Sequence, residues 1–194
     1  MRNIYGDSKV SYRGPVWIIP IHGIGQGNGA GPAIWAVVSM PLLSVLHQKG
    51  FGCSFIFLLS SDLFHFVGYA FVDDTDILQP SLRNCQQQTL TLLQQAIDTW
   101  ENSLKATCGV VVPEKTVWWL VSFKWEGNSW KYALIQDSLG ELFINNISDT
   151  RKMIKRLGAE QAHKTLGVFI APDGNLQAQV EKMKRAAIQW VDAM

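Results

Sequence analysis

The stretch HGIGQGNGAG, residues 22–31, sets five glycines in ten positions and constrains the fold more than any other part of the chain. Glycine at that density weakens helices and strands alike, so the segment must be a loop with unusual backbone angles. On one side stands VWIIPI (residues 16–21), a short apolar run rich in β-formers and a candidate buried strand. On the other, Pro32 suits the first turn of a helix, where its missing N–H is no loss. The helix continues through AIWAVVSMPLLSVLHQKG to Gly50, apolar on nearly every side and so expected to be central, with Pro41 kinking or dividing it. Strand, glycine loop, helix is the layout of a phosphate cradle. The dinucleotide pattern G-x-G-x-x-G fails, because counting from Gly23 ends on Asn28 and from Gly25 on Ala30. No Asp or Glu stands between Asp7 and Asp62 to hold a ribose hydroxyl, and there is no Gly-Lys-Ser/Thr loop of the ATPase type.

The rest of the chain alternates hairpin and helix patterns. Residues 53–72 are β-rich, broken around residues 60–62, and Asp73-Asp74 is a turn signal after which TDIL can return as a strand. Ser81 is a candidate N-cap for a long helix. Leu82, Cys85, Leu90, Leu93, Ile97, Trp100 and Leu104 then line one helical face, until Gly109. VWWLVSFKW and WKYALI read as a hairpin around Glu126-Gly127-Asn128. Further short strands fall near residues 142–144 and in TLGVFIA, and Asp173-Gly174-Asn175 is a turn before an amphipathic helix over residues 176–194. Hairpins between helices, without repeat or linker, argue an α+β fold with an antiparallel sheet.

Composition narrows the function classes. With 194 residues, 47% hydrophobic and 17% charged, the chain fits one domain, or one domain with a small appendage, and can bury a real core. A net charge of +1 offers no global basic field. Arg151, Lys152, Lys155 and Arg156 cluster, followed by Lys182, Lys184 and Arg185, and this basic third reads either as solvated helix faces or as a partner for phosphates. Cys53, Cys85 and Cys108 are odd in number and lack metal-ligand spacing, which points away from a disulfide framework or zinc and toward an intracellular, reducing compartment. The polar opening has no signal-peptide character. The apolar residues 32–46 are too short for a membrane span, so no membrane partner is expected.

GYAFVDDTDIL, residues 68–78, ends an apolar run in three carboxylates. Burying one costs several kcal/mol unless it is paired or bound to a cation. Asp74, Asp76 and Leu78 give the spacing of a haloacid-dehalogenase loop but put Leu where Thr or Val belongs, and Leu78 also spoils a calcium loop. Two readings stay open: a solvated turn, or a two-metal phosphoryl-transfer site, which needs carboxylates on rigid backbone to hold two ions about 3.5–4 Å apart.

Gln26-Gly27, four residues, then Pro32-Ala33-Ile34-Trp35 resembles the QGxxxSPAIF segment of reverse transcriptases, with Gly31 for Ser. Phe71-Val72-Asp73-Asp74 is similar to their YxDD box, with Phe for Tyr. GVVVPEKT (residues 109–116) resembles the GLxxNxxKT segment, and TLGVFIAPDG (residues 165–174) the strand and turn near the primer. Four such matches in the family's order are hard to obtain by chance. The resemblance implies a palm-like antiparallel sheet packed on helices over residues 1–175, with residues 176–194 as the possible start of a thumb. It implies an RNA-directed DNA polymerase using Mg²⁺ or Mn²⁺, an RNA template, a DNA primer and deoxynucleotides. Asp73 and Asp74 would be the metal-binding catalytic carboxylates, and Lys115 a proton donor to the leaving pyrophosphate. Gln26 and Gly27 would line the template and nucleotide pocket, and Phe71 would sit beside the primer terminus. Trp118, Trp119, Trp125 and Trp130 read as packing residues of a hairpin rather than as a base-stacking platform.

The resemblance has one gap. Family members carry another catalytic Asp on a strand well upstream of the glutamine-glycine loop, and only Asp7, in a polar setting, precedes Gln26. The fingers and most of the thumb have no counterpart. The expectation is a palm fragment inactive alone, since Mg²⁺ binds weakly to one or two carboxylates without substrate phosphates. A palm lacking its first strand should expose an edge prone to pairing, unless VWIIPI takes that slot. The alternative function is a non-catalytic nucleic-acid-binding remnant using the basic third.

Overall fold

The computed structural model of the chain describes residues 7–10, 17–20, 31–71, 74–81, 85–107, 109–146, 150–165 and 167–192. They form an α+β fold that divides into two compact units, Met1–Pro80 with Gln95–Val110, and Ser81–Gln94 with Val111–Met194.

In the first unit, β1 (Asp7–Val10) and β2 (Trp17–Pro20) pair antiparallel, Val10 opposite Trp17. The described part of VWIIPI, Trp17–Pro20, is therefore a strand, and its partner arises from the polar opening that the sequence presents as irregular. Helix α1 (Gly31–Gln48) begins at the last glycine of the loop and runs through Pro41 unbroken. Proline removes the donor for the Val37 carbonyl, but Val37, Met40 and Pro41 are exposed, so water can take its place. The expected central burial of this helix is overturned. Only Ser39, Leu42 and Leu46 are buried, a single stripe at helical spacing, while most of its other apolar side chains stay in contact with solvent. Its end is well specified: Gly50, at φ 78°, donates to the His47 carbonyl at 2.9 Å, and Phe51 donates to Leu46 at 3.1 Å. This is the glycine-terminated helix cap, closed by the buried pair Phe51 and Leu46.

Two hairpins follow. Strands β3 (Cys53–Ile56) and β4 (Leu63–Phe66) pair with Phe55 opposite Phe64, and β5 (Gly68–Phe71) pairs with β6 (Asp74–Ile77). Helix α2 (Gln86–Ala106) starts after Cys85, whose carbonyl accepts from Thr89 at 3.0 Å, so Ser81 is not its cap. The division between the units falls within α2, and Ala96, Trp100 and Leu104 supply buried side chains to the first unit.

In the second unit, β8 (Phe123–Glu126) and β9 (Ser129–Tyr132) form the expected hairpin. Its two-residue turn, Gly127 and Asn128, has φ of 58° and 63°, the type I′ geometry that matches strand twist. Strands β10 (Phe143–Asn145) and β11 (Arg151–Met153) pair antiparallel, as do β13 (His163–Thr165) and β14 (Val168–Ile170). Strand β12 (Lys155–Leu157) pairs parallel with β7 (Val117–Trp119). The core gathers Trp118, Leu142, Ile144, Ile154 and Leu157. Gln94, in the first half of α2, bonds both main-chain groups of Phe143 at 2.8 Å, its carboxamide acting as one more strand residue beside β10. Helix α3 (Gln177–Asp192) lies against β14 and has no buried residue. All sheets among the described residues are two-stranded, and β7–β12 is the one parallel pair. No helix among the described residues is long and apolar enough to cross a membrane.

Candidate functional site

The aspartate stretch folds as the β5–β6 hairpin. Its register pairs Gly68 with Ile77, Tyr69 with Asp76, Ala70 with Thr75 and Phe71 with Asp74, and Leu78 extends the ladder by donating to the Val67 carbonyl at 2.9 Å. Asp73, like Gln26 and Gly27, lies outside the described residues. Asp74 opens β6 with an exposed side chain, and Phe71 closes β5 as its backbone partner. The strands approach closely at the base because residue 68 is glycine: a Cβ there would stand 2.0 Å from the Asp76 carbonyl oxygen. Helix α1 lies against β5, so the segment after the glycine loop and the hairpin that follows it belong to one packed body. Gly52 donates to Gln79 Oε1 at 3.3 Å, tying the entry to β3 to the chain leaving β6.

Side chains alternate between faces of a ribbon, so Tyr69, Asp74 and Asp76 share one face. Across the ribbon from Asp76, the Tyr69 phenol is pushed from its ordinary 10.0 up to about 12 by hydrogen bonding to that carboxylate, partial burial and the negative charge. Asp76 Oδ2 is buried without a hydrogen-bond partner, and so is Thr75 Oγ1 on the opposite face. Two carboxylates thus stand two residues apart on one face, one exposed and one with an orphaned oxygen. Among the described residues no three His, Cys, Asp or Glu side chains come together to hold a metal. The donor set suits a hard cation that brings its own phosphate and water ligands, and does not make a self-sufficient cage.

Lys115 ends a one-turn 3-10 helix, Pro113–Lys115, with its N–H donating to Val112 at 3.1 Å and its side chain exposed. Asp74 belongs to the first unit and Lys115 to the second. The basic third divides: Arg151 and Lys152 lie on β11 and Lys155 and Arg156 on β12, while Lys182, Lys184 and Arg185 lie on helix α3. Arg156 is committed internally, bonding Ser138 O at 2.6 Å and Ser138 Oγ at 2.7 Å with its guanidinium 5.0 Å from the Trp118 ring centre. Burial there lowers its pKa. Lys182 donates to the Gly167 carbonyl and Lys184 pairs with Glu181 at 3.7 Å.

The tryptophans divide. Trp118 is buried, as packing predicts, but Trp125 and Trp130 are 60% and 67% exposed and contact each other edge to face at 5.3 Å across β8–β9. Tyr69 is the site residue that sequence reasoning missed. Its signal was available only through register, since the pairing of β5 with β6 is what sets it opposite Asp76. Compared with protein-family models, with curated proteins and with solved structures, the chain matches none.

Proposed function

We propose that this chain is a palm-like part of an RNA-directed DNA polymerase and that residues 71–74 are the tip of its metal-holding hairpin. The observation that carries the reading is the β5–β6 register. Its terminal pair Phe71 and Asp74 brackets the Val-Asp dipeptide at the end of a two-stranded ribbon packed against α1, and adjacent catalytic carboxylates require such a fixed frame. Asp73 and Asp74 are the proposed ligands of Mg²⁺ or Mn²⁺, which when bound would stabilise the attacking primer hydroxyl and the leaving pyrophosphate. Asp74 supplies a solvent-facing carboxylate, and Asp76, held by Tyr69, adds a second negative group on the same face. Lys115, exposed on its short helical turn, is the proposed proton donor, and Gln26, Gly27 and Phe71 the proposed template, nucleotide and primer contacts. With two carboxylates, metal binding awaits substrate phosphates, so the isolated chain is expected to be inactive.

Two measurements test this. Primer extension on an RNA template with Mg²⁺ or Mn²⁺ should give no product. Mn²⁺ binding followed by electron paramagnetic resonance should appear only with deoxynucleotide present and vanish in Asp73→Ala. Robust synthesis abolished by Asp73→Ala keeps the polymerase reading but overturns the expected inactivity. Salt-sensitive binding to an RNA–DNA duplex, indifferent to Asp73→Ala and without nucleotide-dependent Mn²⁺ binding, leaves the non-catalytic nucleic-acid-binding remnant in its place.

A further inference from the structure

The β3–β4 hairpin carries more exposed apolar surface than a solvated ribbon needs. Its register and alternation put Phe55, Phe57, Phe64 and Phe66 on one face. The Phe57 and Phe64 rings meet edge to face at 6.4 Å, and Phe64 stacks on Phe66 at 6.3 Å. Ile56 and Leu63 are exposed on the other face, and at the tip Leu58 is 96% exposed and Leu59 fully so. The tip is ordered by main-chain bonds, Phe57 N–H to the Asp62 carbonyl at 3.0 Å and Ser61 N–H to the Phe57 carbonyl at 2.7 Å, so the apolar side chains are presented on a defined frame.

We propose that this hairpin is a self-association surface, on which a second copy of the chain packs phenylalanine face to phenylalanine face about a twofold axis. Aromatic rows are self-complementary, since ring edges of one copy fit ring faces of the other. The phenylalanine face and the two tip leucines offer on the order of 600 Å² of exposed apolar surface, approaching what one partner contributes to a stable interface. Strands β3 and β4 pair only with each other among the described residues, so each also has an outer edge able to accept a neighbour. A net charge of +1 leaves little repulsion between copies. A lipid surface fits less well, because Ser60, Ser61 and the Asp62 carboxylate share the tip with the two leucines and would have to enter the apolar phase. The proposal is independent of the polymerase reading.

The test is sedimentation velocity of the full chain through the micromolar range, beside the Leu58→Ser/Leu59→Ser pair and, separately, Phe64→Lys. Leu58 and Leu59 face solvent, so the circular dichroism spectrum of that pair should match the unaltered chain's. The unaltered chain is expected to sediment as a dimer, and each altered chain to dimerise at least about tenfold more weakly, a difference of roughly 1.4 kcal/mol. A monomeric unaltered chain overturns the proposal. So does a dimer indifferent to both changes, which would put the interface elsewhere, the open edges of β5–β6 included. A monomer that co-sediments with neutral phosphatidylcholine vesicles through Leu58 and Leu59 would assign the hairpin to lipid instead.

Discussion

Asp76 is the residue whose meaning changed most. From sequence it was the third carboxylate of an awkward run, and no motif claimed it; in the fold it faces Tyr69 and raises the phenol to about 12. The sign of the pH effect follows from that direction. A group whose folded pKa lies above its unfolded value stabilises fully below the unfolded value, here 10.0, and loses that contribution as pH rises through about 12. Alkaline titration followed by tyrosinate absorbance should therefore show one of the four tyrosines ionising late. Asp76→Asn should bring that step down toward 10.0, and an unchanged curve would dissolve the pair. The return of the chain as a strand over TDIL was legible after the Asp73-Asp74 signal, although β6 already begins at Asp74. Tyr69 was not, because an aromatic in an apolar run acquires a partner only once the register is known. Arg156 was misread for the opposite reason: a cation in a basic cluster looks solvated until Ser138 and Trp118 are found beside it.

Elements were legible in proportion to the strength of their local codes. The β8–β9 hairpin was readable because Gly-Asn between alternating aromatics specifies a tight turn, and α2 because its apolar spacing runs for several turns. Strands β11, β12 and β13, each three residues long and rich in Lys, Arg and His, carry no such period. Their strand character comes from main-chain pairing, with the neighbouring strand for β11 and β13 and with the distant β7 for β12. The helix α1 shows the limit of composition: apolar on all sides, it still buries one stripe. At this scale Gly68 is the position that decides the candidate site. Gly68→Ala would drive a methyl into the Asp76 carbonyl, 2.0 Å away on rigid backbone, and should cost more than about 2 kcal/mol in denaturant unfolding. Gly127→Ala, which meets nothing within 4 Å, should cost only the positive φ, about 1 kcal/mol. Equal losses at the two positions would mean that backbone conformation alone, not the close approach of β5 and β6, sets the requirement for glycine.

At the scale of the molecule, the α+β class followed from the order of hairpins and helices, whereas the division into two units through the middle of α2 left no mark in composition. No proline, glycine or polar linker separates Gln94 from Gln95, so nothing in the local sequence announces a boundary there. The parallel β7–β12 pair has a consequence in time. Every antiparallel partner in the second unit closes a short loop, whereas Val117 must find Lys155 across two intervening hairpins. Hairpins form in roughly 1–10 μs, and pairings between distant segments wait on the larger entropy of loop closure. Trp118 sits in that late pair beneath the Arg156 guanidinium, so its emission should report the slowest refolding phase, and Trp118→Phe should remove that phase's amplitude in stopped-flow fluorescence. The same pairing then sets how long a newly made chain, with its phenylalanine-faced hairpin already formed, waits for the rest of its core.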